Sequence, residues 1–251
     1  MKKEILALLE KVEKEKNIEI LYACESGSRA WGFPSPDSDY DVRFIYRHPS
    51  DWYLTVNEKT DHIQFMEGEL LDVSGWDIRK VLRLLFKSNN SIYSWLYSPM
   101  IYRQNTSFIK GFRALAEPYF LPKSVIFHFL GIATGMLQKE FQTDEVKIKK
   151  YFYVLRPVLA AKWICEFKSP PPILFDKLLF LVKDESVLNQ IRDLLKRKET
   201  ANEAQKVKRI SILDEFVKME MKYCEIVAKE LPKKVNDYEN INHFYRKILG
   251  A

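Results

Sequence analysis

The sequence predicts an α+β protein: a small mixed β-sheet domain over residues 1–105, then an all-α domain over residues 106–251. Three observations carry this. Runs of β-branched and aromatic residues bounded by turn residues fall at 18–24, 42–46 and 61–66. From Thr106 onward that signal nearly vanishes, and apolar residues recur at helical spacing. Between the first two strand candidates stand a small-residue turn, Gly27-Ser28, and a carboxylate pair, Asp39 and Asp41.

Residues 4–15 place Ile5, Leu8, Leu9 and Val12 on one helical face with charges on the other, a covering helix. The strand at 18–24 runs into Gly27-Ser28. A small-residue turn from a strand into a helix start presents backbone N–H groups, and such donors hold phosphate. Ala30 and Trp31 are expected to point inward. Residues 32–38 carry Pro34 and Pro36 and so form neither helix nor central strand. In the strand that follows, side chains at i and i+2 share a face, so Asp39 and Asp41 project together. Carboxylates that close repel unless a cation lies between them. Hard oxygen ligands in pairs suit Mg²⁺, which completes its shell with water and phosphate oxygens. A phosphate cradle beside such a pair makes a site for a nucleoside triphosphate. Arg29 is within reach of a triphosphate, and Arg43 shares the strand parity of Asp41. Each serves equally well as a salt-bridge partner balancing the acids.

Further along, 48–54 reads as a loop or single helical turn, 61–66 as a strand, Glu67-Gly68-Glu69 as a hairpin turn and 70–73 as the returning strand. Helices are expected at 77–87 and 92–97, with the polar break Lys87-Ser88-Asn89-Asn90 between them. Seven more are expected at 106–117, 123–142, 145–168, 173–182, 185–198, 207–230 and 238–248, with breaks at Pro118, Pro122, 169–172 and Pro232. The charged stretch 192–209 reads as a solvated helix surface or a flexible connector. Lys149, Tyr153 and Arg156 fall at i, i+4 and i+7 of one helix. A stripe with two cations suits the wall of a cleft, closing over a base or triphosphate, and Pro157 would kink the helix and aim the stripe.

With 251 residues, 47% of them hydrophobic, the chain can build a sizeable core. The formal net charge of +6 permits a nucleic-acid partner and equally describes a Lys-rich solvated surface. Cys24, Cys165 and Cys224 have neither zinc nor disulfide spacing, which places the chain in a reducing cytoplasm and the cysteines in the core. No signal-peptide core and no apolar window of ~20 residues is present, so no membrane is expected. The four histidines show no metal spacing, and no Walker-type lysine follows the Gly-Ser turn.

The spacing of Gly27-Ser28 and Asp39-Tyr40-Asp41 resembles the signature of the DNA polymerase beta superfamily of nucleotidyltransferases. Five ordered blocks extend the likeness: 27–33, 37–46, 71–80, 87–89 and 153–160. Together, over roughly residues 20 to 180, they look like the nucleotidyltransferase family associated with bacterial and phage RNA repair. The resemblance implies a polymerase beta-like sheet domain and transfer of a nucleoside monophosphate from a nucleoside triphosphate. Pyrophosphate would leave, and the acceptor would be an RNA or other polynucleotide end. It implies Mg²⁺, with Mn²⁺ as substitute, held by Asp39, Asp41 and a third acid on a neighbouring strand. Asp72 is the candidate for that acid and for proton acceptance; Asp77, which begins a helix, is its rival. The nucleotide would be held by Gly27, Ser28, Arg29 and Arg43, by Lys149, Tyr153 and Arg156, and by Lys87 and Asn89, for which helix capping is the alternative. RNA-repair enzymes such as a ligase would be partners. The competing readings are transfer to a protein or small molecule, and a nucleotide-sensing module without turnover.

Overall fold

The structure, a computed structural model, describes residues 1–200, 202 and 204–250. In chain order the elements are α1 (Lys2–Lys16), β1 (Glu19–Glu25), α2 (Gly27–Trp31), β2 (Tyr40–Arg47), α3 (Ser50–Tyr53), β3 (His62–Glu67), β4 (Leu71–Asp77), α4 (Ile78–Phe86), α5 (Asn90–Leu96) and β5 (Ile101–Gln104). There follow α6 (Thr106–Ala116), α7 (Pro122–Glu140), β6 (Glu145–Lys147), α8 (Ile148–Phe167), α9 (Glu185–Thr200), β7 (Lys206–Lys208), α10 (Ser211–Glu230) and α11 (Glu239–Leu249). Short 3₁₀ turns lie at Glu117–Tyr119 and Phe175–Leu181. Among the described residues no single helix is long and apolar enough to cross a membrane.

By packing, the chain forms two compact units, one of Met1–Ala30, Asp39–Phe120 and the residues from Val235 on, the other of Trp31–Ser38 and Leu121–Lys234. A single cut at residue 105 does not describe this packing. The last helix returns to the first unit because its aromatic residues find partners there. Tyr238 stacks on Phe86 with centroids 3.8 Å apart, and Phe244 packs on Phe108 and Phe112. Asn236 Nδ2 donates to the Phe86 carbonyl at 2.9 Å, and the Tyr119 hydroxyl donates to the Asp237 carbonyl at 3.0 Å. Helical periodicity reveals a buried face but not which unit will bury it.

In the first unit a five-stranded sheet runs β3-β4-β2-β1-β5. β2 and β4 are parallel; the other neighbours are antiparallel. Helix α1 places Ile5, Leu8, Leu9 and Val12 over Ile20, Ala23, Val42, Phe44, Tyr46 and Val73, burying one sheet face as its pattern requires. β4 extends to Asp77, further than its apolar run suggests. It carries Gly75 because the Phe44 ring occupies the space: a Cβ there would lie 2.2 Å from that ring. The fifth strand, β5, is only four residues long and gave no separate signal in the sequence. It pairs with β1, beside which Arg103 forms an ion pair with Glu13 of α1.

The second unit is built on α7, α8 and α10. Helix α8 is buried nearly all round and runs through Pro157 as one helix. Two helices expected from spacing are shorter than anticipated. Glu145–Lys147 and Lys206–Lys208 instead pair as an antiparallel ribbon, with Val146 and Val207 opposite each other and inward. Three residues of period-two pattern are too few to read against neighbouring helices. The 173–182 stretch forms a 3₁₀ turn rather than an α-helix. The loop 31–38 is held within this unit. Phe33 packs on Phe152 and Phe175 at 5.0 and 5.4 Å, and the buried Lys198 donates from Nζ to Ser35 Oγ at 2.6 Å. Lys198 therefore corrects the reading of 192–209 as wholly solvated or flexible; Ala201 and Glu203 of that stretch lie outside the described residues.

Candidate active site

Strand β1 buries every residue from Ile20 to Glu25, and the chain then leaves the sheet at Ser26 and Gly27. The departure is tied to β2 at one residue, Asp41. Ser26 N–H donates to the Asp41 carbonyl at 2.8 Å, and the Asp41 N–H donates to Glu25 Oε1 at 2.7 Å. The other carboxylate oxygen of Glu25 accepts from the Tyr102 hydroxyl, and its backbone carbonyl accepts from Ser98 Oγ at 2.6 Å. Burial pushes the Glu25 carboxyl up, opposed by the hydrogen bonds from Tyr102 and Asp41. Gly27 has φ +60°, and a Cβ there would lie 1.8 Å from Asp41 Oδ2. The turn therefore requires glycine twice over, for its backbone angle and for the carboxylate against it. Ser28 and Ala30, which follow in α2, are buried.

Across the parallel ladder Asp41 is in register with Asp72. Arg43, two residues on and on the same face, joins them: its Nη2 lies 2.7 Å from both Asp41 Oδ1 and Asp72 Oδ2, and its Nη1 donates to the Asp72 carbonyl at 2.8 Å. Asp39 stands just before β2 and is exposed; its carbonyl accepts from Arg29 Nε at 3.0 Å, while the Arg29 guanidinium lies 3.8 Å from the Tyr40 ring centroid. Asp77, the rival third acid, sits at the far end of β4 on the opposite parity. There it caps α4, with Oδ1 accepting from Arg79 N–H at 2.8 Å and Oδ2 from the Tyr53 hydroxyl at 2.7 Å. Burial holds its carboxyl above the ordinary range. Of the two, Asp72 is the neighbour of Asp41.

Lys87 is exposed at the C-terminal end of α4, and Asn89 caps α5 by accepting from Ser91 N–H at 2.9 Å. Lys149, Tyr153 and Arg156 belong to the second unit. Lys149 and Tyr153 are half-buried, with Tyr153 edge-on to Trp31 at 5.8 Å. Arg156 is only 5% exposed. Its guanidinium lies 4.4 Å from the Trp31 ring centroid, one Nη donates weakly to the Ile173 carbonyl, and Nε has no hydrogen-bond partner among the described residues. Burial lowers its pKa to about 9, which still leaves it charged at neutral pH. The residue that spacing missed is Glu25. Its signal was a single charge closing an otherwise apolar strand directly before the Gly-Ser turn.

Among the described residues no three His, Cys, Asp or Glu side chains already form a metal cluster. The donors nevertheless fit a divalent ion. The Asp41 and Asp72 side chains are 28% and 27% exposed, and both converge on one cationic group, Arg43. Two hard oxygen ligands with access to solvent are what Mg²⁺ needs from protein when phosphate and water complete its shell.

A solved structure of a nucleotidyltransferase-like protein from Exiguobacterium sibiricum aligns with 97% of this chain and 79% of its own, at 11% identity and a TM-score of 0.32, too loose an overlap to carry an argument. Bacillus subtilis (strain 168) YcgL is 40% identical over 238 residues, 94% of this chain and 92% of that protein. Residues 1–247 match the RNA repair pathway DNA polymerase beta family, RlaP, so the likeness extends well beyond the 20–180 span of the motifs. With its Gly-Ser turn set against Asp41 and Asp41 in register with Asp72, the chain belongs to that family.

Proposed function

We propose that the chain is a divalent-metal-dependent nucleotidyltransferase. It would move a nucleoside monophosphate from a nucleoside triphosphate to an RNA or other polynucleotide end, releasing pyrophosphate. The observation that carries this reading is the closeness of the Gly27 turn to Asp41, whose Oδ2 would touch any side chain at residue 27. A phosphate cradle and a carboxylate so close together serve a ligand with both phosphate and cation. Asp39, Asp41 and Asp72 would hold Mg²⁺ or Mn²⁺, which supplies charge neutralisation at the phosphates.

The chain's own residues then have separate tasks. Backbone donors at Gly27 and Ser28, with the Ser28 hydroxyl, orient the β and γ phosphates and so the line of attack at the α-phosphorus. Asp72 accepts the proton of the attacking hydroxyl. Arg43 keeps Asp41 and Asp72 from repelling each other before the ligand arrives. Arg29, Lys87 and Asn89 bind sugar or phosphate. Lys149 and Tyr153, half-buried on the helical part, would serve the base or triphosphate, whereas Arg156 lies under the Trp31 ring. The polynucleotide acceptor and RNA-repair partner enzymes follow from the family's description, supported by the net charge of +6. Three cysteines without disulfides suit a reducing cytoplasm.

The test is incubation of the protein with Mg²⁺, each labelled nucleoside triphosphate, and RNA, DNA and protein acceptors, beside Asp39→Ala and Asp41→Ala. Extension of RNA by the wild type alone supports the reading. Label on protein moves the assignment to protein modification, and bound triphosphate without any transfer moves it to nucleotide sensing.

A further inference from the structure

In an antiparallel ladder each inward N–H finds a backbone carbonyl on the neighbouring strand. Where β1 turns away at Gly27 that partner is lost, and the Asp41 N–H would be left without an acceptor. The Glu25 side chain replaces it. Its Oε1 accepts the Asp41 N–H at 2.7 Å while Ser26 N–H donates to the Asp41 carbonyl at 2.8 Å. Asp41 is thus gripped at both of its backbone polar groups by the two residues that immediately precede Gly27. Glu25 itself is fully buried and held from the other side by the Tyr102 hydroxyl, by Ser98 Oγ on its carbonyl, and by its own N–H on the Met100 carbonyl at 2.9 Å.

A buried carboxylate is costly, and an apolar residue would suffice if this position only filled space. The geometry points to Glu25 as a positioning residue: through the Asp41 amide it sets the register between the Gly27–Ser28 turn and the Asp41 carboxylate. Tyr102 and Ser98 fix Glu25 in turn. The inference rests on the proposed role of Asp41 toward a divalent ion. Groups that orient a ligating carboxylate without touching the ion typically change metal affinity about 10–100-fold when removed.

Glu25→Ala and Glu25→Gln separate this from a purely structural role or from direct ligation. Glutamine keeps an acceptor for the Asp41 N–H and can donate to the Tyr102 oxygen; alanine does neither. Hydrogen exchange of the segment containing Asp41, Mn²⁺ binding and thermal unfolding are measured on each. Faster exchange at Asp41 in Glu25→Ala, Mn²⁺ binding weakened about 10-fold or more, and recovery of both in Glu25→Gln support the proposal. Tyr102→Phe, which leaves Glu25 in place, should fall between Glu25→Ala and the wild type, and it serves as the test if Glu25→Ala does not fold.

Unchanged exchange at Asp41 in a folded Glu25→Ala overturns the inference. So does unchanged Mn²⁺ affinity, and so does a Glu25→Gln protein with normal exchange that binds Mn²⁺ as poorly as Glu25→Ala, since that result would make Glu25 a ligand. A wild type that binds no Mn²⁺ fails the metal reading separately. In that case exchange at Asp41 still decides whether Glu25 holds the register.

Discussion

A methyl group on Gly27 would stand 1.8 Å from Oδ2 of Asp41, so the turn and the carboxylate cannot both keep their places once residue 27 carries a side chain. Gly27→Ala should therefore lose nucleotidyl transfer at least 10-fold and lose stability on the order of 1–3 kcal/mol. Gly68 in the β3–β4 turn supplies the control. Its φ is +63°, and among the described residues nothing beyond its own chain neighbours lies within 4 Å of its would-be Cβ. Gly68→Ala should show the backbone strain and keep activity. Thermal unfolding and turnover of the two variants, side by side, decide whether the clash with Asp41 matters.

Arg43 is the cation that lets Asp41 and Asp72 stand together. Arg43→Met should lower stability in the absence of divalent ions by about 1–3 kcal/mol, the cost of leaving partly buried charges unpaired. Added Mg²⁺ should recover more of that loss than it adds to the wild type. Equal Mg²⁺ responses in melting experiments would refute the assignment of both acids to one ion.

Asp77 makes a pH-dependent prediction. Burial raises its folded carboxyl pKa above the unfolded one, so its contribution to stability is full below the unfolded value of about 4 and is lost as pH rises through the folded value. Asp77→Asn is uncharged and can still cap α4. Its stability relative to wild type should rise as pH increases from about 4 toward neutrality. Asp77→Ala should follow the same rise with pH, displaced downward by about 1–2 kcal/mol through the missing cap. Urea unfolding across that range distinguishes the two.

Lys198 and Ser35 make a fourth. Their 2.6 Å hydrogen bond is buried and spans 163 residues of sequence. Lys198→Met should speed hydrogen exchange across 31–38, and the Lys198→Met, Ser35→Ala double mutant should be less than additive by roughly 0.5–3 kcal/mol. Full additivity would mean that the pair does not hold the loop.

These pairs also show how far the residues alone could be read. The shared face of Asp41 and Arg43 was legible because period two fixes which side chains of a strand project together; Gly27 was legible from its small-residue turn, and Asp72 only from the family resemblance. The parallel register of Asp41 with Asp72 was not legible, since pairing between strands thirty residues apart leaves no local mark. Asp72 was the favoured third acid in the sequence, and Asp77, at a helix start, its rival. Only the strand's full length, which places them on opposite faces, separates a helix cap from a neighbour of Asp41. Arg156 read as the wall of a cleft because a charge on a helical stripe usually meets solvent, yet a Trp ring can cover a guanidinium. Lys198 was lost in a charged stretch whose neighbours are mostly exposed.

The return of α11 to the sheet unit bears on how the chain acquires its structure. Arg47 donates to the carbonyl of Ile248, 201 residues away, and Ser50 donates to that of Leu249 across 199 residues. Neither closure can form before the intervening helices have been made, and each closes a large loop at an entropic cost. Until then Phe86 lacks Tyr238, which precedes α11, and Phe108 and Phe112 lack Phe244 of α11. A chain still lacking its last helix therefore leaves these aromatic faces of α4 and α6 without that cover, the kind of exposed apolar surface through which unfinished chains associate.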